Sequence, residues 1–88
     1  MHLIFREPVT INCGRVFNNH IRYSLHSMSV DYYHHRDGEF VINPSVWTGE
    51  GDNIDKLLDI ITHHSANARS LTLLREGSGY YVVQIQYD

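Results

Sequence analysis

The sequence predicts an α+β domain: an antiparallel sheet of four to six strands, one helix at about 53–66 packed on one face in two layers, and β-hairpins on either side of that helix. Three observations predict it. Short runs of period two fill both ends of the chain, Gly, Pro and Asp-Gly signals punctuate them, and one clean helical stripe lies between. A length of 88 residues leaves room for one hydrophobic core, so residues 1–88 are read as a single domain.

The elements follow in order. His2–Arg6 is short and apolar, Pro8 interrupts it, and Val9–Asn12 is β-branched until Cys13-Gly14 breaks the run; one strand and two strands fit equally. Arg15–Phe17 reads as a further short strand or a continuation, with Asn18-Asn19 as a turn. Next, Ile21, Tyr23 and Leu25 alternate with Arg22, Ser24 and His26, the pattern of a half-buried strand. The apolar parity then slips to Met28, Val30 and Tyr32. A β-bulge near His26-Ser27 would return both sets to one face, and it is expected there.

Asp37-Gly38 between two alternating runs is a strong hairpin signal, read as a type I′ turn. The return strand Phe40–Asn43 stops at Pro44, and residues 44–53, PSVWTGEGDN, read as a loop. The helix follows, with Asp52 or Asn53 as N-cap and Asp55 in the first turn, where a carboxylate suits the helix dipole. Ile54, Leu57, Leu58 and Ile61 form its apolar stripe, and Asn67 is its expected stop. Ser70–Arg75 and Tyr80–Tyr87 form a second hairpin across Glu76-Gly77-Ser78-Gly79. Tyr81, Val83, Ile85 and Tyr87 share one face of the last strand; Tyr80, Val82, Gln84 and Gln86 share the other, wetter one.

Composition narrows the function. The apolar fraction is 42% and the charged fraction 19%, which fits a folded chain and not a disordered one. The single Cys13 makes no internal disulfide, and no basic, apolar leader opens the chain, so a cytoplasmic protein is expected. No run approaches the roughly 18 apolar residues of a membrane span. Net charge is −3, with one lysine and six scattered arginines among the seven basic residues. A nucleic-acid binder needs a clustered basic face, and none can be drawn here.

The histidines raise a metal question. His34-His35 would point to opposite faces of a strand, and His63-His64 diverge by about 100° on a helix, so neither pair chelates one ion. His63 and His64 instead suit the last helical turn, with His63 four residues beyond Asp59. Catalytic signals are equally thin. Cys13 beside Gly14 reads as a small core residue, and no base and orienting residue are marked for it. Gly49-x-Gly51 precedes a helix, but Glu50 and Asp52 flank it and would repel phosphate. No catalysis, cofactor or resident metal is expected.

What remains is surface chemistry suited to protein binding. Six tyrosines and Trp47 are too many for one thin core, and neither Tyr32 and Tyr33 nor Tyr80 and Tyr81 can both face inward from one strand. Tyr and Trp dominate interface hot spots. Trp47 has two readings: an anchor in an acidic rim, or a plug folded back on the edge of the core. In general character, and not in motif, the chain resembles single-domain proteins that occlude a larger partner, such as immunity proteins for bacterial toxins and phage-encoded inhibitors of host defence. That resemblance implies an inhibitor or accessory module. Its expected partner-binding residues are Tyr33, Asp37, Glu39, Trp47, Glu50, Asp52 and Tyr80, docking on a basic surface of a larger protein such as a nucleic-acid-binding enzyme. The alternative is a histidine-dependent metal-binding or pH-sensing module. Homo-oligomerisation would be an easy route to added stability for a chain this short.

Overall fold

A computed structural model describes residues 2–14, 18–65, 68–75 and 80–87. Its elements are β1 (His2–Phe5), β2 (Val9–Asn12), α1 (Asn18–Ser27), β3 (Tyr32–Arg36), β4 (Glu39–Ile42), β5 (Ser45–Trp47), α2 (Asp52–His64), β6 (Ala68–Arg75) and β7 (Tyr80–Tyr87). The class is α+β as predicted, but with two sheets and two helices. One sheet has the order β5-β1-β7-β6 and the other β2-β4-β3.

A single bent ribbon joins the two sheets. β1 pairs antiparallel with β5, and β2 pairs antiparallel with β4. Phe5 faces Ser45 and Val9 faces Ile42, so residues 6–8 on one side of the break lie opposite only 43–44 on the other. Pro8 and Pro44 both fall in this break, where no ladder hydrogen bond is needed from them. The one-residue offset also keeps the faces in step. It lets Leu3, Phe5, Val9 and Ile11 share the core with Phe40, Ile42 and Trp47, which an uninterrupted register would not. His2–Asn12 is therefore two strands in two sheets.

The sheet is not wholly antiparallel. β1 runs parallel to β7, while β6 pairs antiparallel with β7 as the second hairpin requires. The predicted facing of β7 holds for Val83 and Ile85, which enter the core, and for Gln86, which is exposed. Val82 is buried on the outer face among its neighbours. The expected turn at Glu76–Gly79, the strand at Arg15–Phe17 and the stop at Asn67 lie outside the described residues.

The largest correction is α1, where a strand and a bulge were expected. Ile21 and Leu25 are both buried, and a spacing of four fits one face of a helix as well as one face of a strand. Tyr23 decides between them: a strand would bury it with Ile21 and Leu25, yet it is 64% exposed. The parity slip toward Met28 is the helical period, not a bulge. Asn18-Asn19 accordingly opens the helix instead of making a turn. The helix ends in a Schellman arrangement. Ser29 N–H donates to His26 O at 3.0 Å, Val30 N–H donates to Leu25 O at 3.2 Å, and Ser29 holds the left-handed φ of 55°. Val30 and Leu25 both join the core cluster, the apolar contact that accompanies this cap.

Three smaller corrections concern turns and caps. The stretch predicted as a loop at 44–53 contains β5, which extends the ribbon onto β1. Gly51, with φ 57°, stands at the N-cap of α2 in place of Asp52 or Asn53, and no side chain caps the helix. At Asp37-Gly38 only the glycine has positive φ, 75°, so the turn is not type I′. A bulge at His35, between the pairs His34–Phe40 and Arg36–Glu39, supplies the extra twist that turn would have given.

Ile21 and Leu25 of α1 and Ile54, Leu57 and Ile61 of α2 enter one cluster with the inward residues of both sheets. The helices thus cover one side of the bent ribbon. The molecule measures 38 × 30 × 18 Å, as two layers should. Among the described residues no helix is long and apolar enough to cross a membrane.

Candidate functional surface

Strand β3 divides its aromatic residues between two faces. Tyr32 turns to the core, edge-on to Phe40 at 5.9 Å, and its hydroxyl donates to the Arg22 carbonyl at 3.3 Å. His34 follows on the same side, its ring tilted over Phe40 at 5.0 Å. Tyr33 takes the opposite face. It lies beside Val41 in the register, is 46% exposed, and meets the His35 ring edge-on at 6.2 Å. The division of Tyr32 from Tyr33 follows directly from strand alternation.

The outer face of the β2-β4-β3 sheet therefore carries Thr10, Val41 and Tyr33 in one row, with Asn12, Glu39 and Arg36 in the next. Val41 is buried beneath this layer although it is not part of the main core. Arg36 Nε donates to the Glu39 carboxylate, and that hydrogen bond together with the carboxylate's charge raises the Arg36 pKa. The pair is worth little stability, because the Arg36 side chain is exposed. It does neutralise Glu39. At the tip, Gly38 packs against the backbone of Gly14, and its carbonyl accepts the Cys13 N–H at 2.8 Å. The hairpin is thus tied down on a rigid base, with Asp37 exposed at its end.

Cys13 is buried, and its thiol donates to the same Gly38 carbonyl at 3.4 Å. Burial pushes the thiol pKa up, only partly offset by its backbone hydrogen bond. A protonated, enclosed thiol is a poor nucleophile.

The other expected contacts lie elsewhere. Glu50 and Asp52 are exposed in the β5–α2 connection and the first turn of α2, beyond the far end of the ribbon from Asp37 and Glu39. They make one acidic group with Asp55, and the hairpin is a second. Trp47 is 7% exposed and takes the plug reading. Its Nε1–H donates at 2.8 Å to the carbonyl of Met28, one of the groups left unpaired at the end of α1. Gly49 lies against the indole, so closely that a Cβ would come within 1.8 Å of Cη2. Tyr80 begins β7 opposite His2, with its side chain outside the described set.

The histidines spread out. His34 and His35 diverge across β3, and His63 Nδ1 lies 3.0 Å from the Asp59 carboxylate in the last turns of α2. Among the described residues no three His, Cys, Asp or Glu side chains come close enough to hold a metal ion. A polar groove of about 400 Å³ between the helices is lined by His20, Ser24, Lys56 and Asp59 among others.

His35 and Arg36 belong to the same outer surface as Tyr33 and were not among the expected contacts. The signal for His35 was its i, i+2 spacing from Tyr33, which places both on one strand face. Comparison with protein-family models, with curated proteins and with solved structures finds no match.

Proposed function

We propose that this protein is a non-catalytic binding module that occludes a larger protein, with the outer face of the β2-β4-β3 sheet as its central contact. The observation that carries this reading is Tyr33. It stands half exposed against His35, over a buried Val41, on a hairpin anchored to Gly14. A stiff aromatic ring held in place before binding loses little side-chain entropy on docking. Asp37 at the tip, with His35 and the Arg36–Glu39 pair around it, supplies a polar rim.

The second acidic group, Glu50, Asp52 and Asp55, would act at longer range by drawing in a basic partner such as a protein surface that holds nucleic acid. Trp47 has no direct part in this scheme, because its indole is committed to α1.

The test compares two tyrosines. Tyr33→Ala and Tyr23→Ala each remove an exposed ring, one from the proposed contact and one from α1. The tagged wild type and Tyr23→Ala should retain the same larger protein from the cells in which the chain works. Tyr33→Ala should weaken that complex by roughly 30-fold, the loss of about 2 kcal/mol typical of a hot spot. Equal retention by Tyr33→Ala would overturn the assignment of this face. Replacing Glu50, Asp52 and Asp55 together by the neutral amides should slow association and flatten its salt dependence.

A further inference from the structure

We infer that β6 is a self-pairing edge, and that two copies of this chain join their four-stranded sheets through it into one continuous sheet. The inference rests on how differently the described strand edges are built. β5 has three residues and follows Pro44, β2 has four and follows Pro8, and β3 is bulged at His35. Short length, a nearby proline and a bulge are devices that stop an exposed edge from pairing. β6 has eight residues, and its single bulge, at Arg69, leaves Ser70–Arg75 in regular register with β7. It contains no proline, no lysine and no acid, and its middle is Ser-Leu-Thr-Leu-Leu. β7 is its one extensive neighbour among the described elements.

A second copy fits this edge better than another occupant for three reasons. Antiparallel pairing of a strand with itself is closed by a twofold axis, so a dimer consumes the open edge of both subunits and goes no further. The charges also permit it. Glu50, Asp52, Asp55 and Asp59 all sit on α2 or just before it, and α2 packs on β2, in the other sheet. Arg69 is held to Gln86 of its own chain at 2.8 Å, and Arg75 is at the opposite end of the strand. A twofold axis at Leu73 sets Arg75 opposite Leu71 of the second copy and keeps the arginines from facing each other. Finally, the register sets Leu73, Val83 and Phe5 in one row across β6, β7 and β1. The axis at Leu73 sets the same row of the second copy, from Leu73 to Phe5, directly against it. One strand pair makes a small interface, so the dimer should be weak and concentration-dependent.

Sedimentation of the wild-type chain across a concentration series reads the monomer–dimer equilibrium. Thr72→Lys sets two like charges near the axis at an exposed position and should raise the dimer dissociation constant by roughly fivefold or more. Val46→Lys, on the short edge strand β5, should leave it unchanged. Thr72→Cys subunits should also be joined by a short bis-maleimide, while the wild type, whose Cys13 is buried, should not. A chain that stays monomeric at every concentration overturns the inference. So does a dimer that is indifferent to Thr72→Lys and gives no Thr72→Cys cross-link, including one in which only an added peptide, and never a second copy, occupies β6.

Discussion

Gly49→Ala should unfold more easily than its single methyl group suggests. The Cβ would overlap the Trp47 indole at Cη2, Cζ2 and Cζ3, and these are ring atoms with no flexible end to yield. Gly49 has no positive φ, so the cost is steric and not conformational. Two responses are available. The backbone can shift to make room, which is overpacking at about 1–3 kcal/mol. Alternatively the indole can swing out, giving up its hydrogen bond to Met28, worth about 1 kcal/mol, and part of its burial. Either way the expected loss is about 2–3 kcal/mol, or a fall in Tm of roughly 10–20 °C for a domain of this size. Trp47 is the only tryptophan, so its fluorescence reports both quantities at once. Urea unfolding gives the stability, and the emission maximum of the folded variant shows whether the ring has moved toward water. Stability within about 0.5 kcal/mol of wild type, with unchanged emission, would refute the placement of Trp47 against Gly49.

Three further outcomes are expected. Ser29→Gly should stabilise the protein by roughly 0.5–1 kcal/mol in the same urea assay, because Ser29 occupies the left-handed position that glycine fills without strain. Leu25→Ala should cost about 2–5 kcal/mol, whereas Tyr23→Ala should fall within about 0.5 kcal/mol of wild type; equal losses would favour a strand over the helix α1. Cys13 should resist thiol reagents at pH 8 until urea is added. Burial holds its folded pKa above that of a free thiol, so the unfolded chain ionises first and stability should fall as pH rises past the ordinary thiol range. Cys13→Ala should remove that part of the pH dependence.

Much of the fold could be read where the sequence signals have one meaning. The helical stripe Ile54, Leu57, Ile61 fits no strand, and α2 falls at Asp52–His64 against an expected 53–66. The β3–β4 hairpin at Asp37-Gly38 and the pairing of β6 with β7 are likewise present. The helix α1 was hidden by three particulars. Its buried pair Ile21 and Leu25 fits either period, its first turn has no acid, and its C-terminal position is taken by Ser29 where glycine would have marked a stop. The short strand β5 was hidden by its surroundings. A proline and two glycines lie close to it, and only the partner strand β1, distant in sequence, makes Ser45–Trp47 extended. Tertiary pairing overrode local preference there.

The expected contact residues were legible as residue types and not as a surface. Strand alternation correctly sends Tyr33 outward and Tyr32 inward. Nothing local shows that Asp37 and Glu39 lie at the opposite end of the ribbon from Glu50 and Asp52, since that depends on the long-range pairing of β1–β2 with β4–β5. Glu39 reads as a free acid in the sequence, but its pairing with Arg36 arises from the register across the hairpin.

The most direct test of the binding proposal is a native mass spectrum of the tagged protein purified from the cells in which it works, at neutral pH and without chelator, for wild type and Tyr33→Ala side by side. The account predicts a stoichiometric complex with a larger protein for the wild type and mostly free chain for Tyr33→Ala. A wild-type spectrum showing only the chain itself, or a complex that Tyr33→Ala leaves intact, would contradict it.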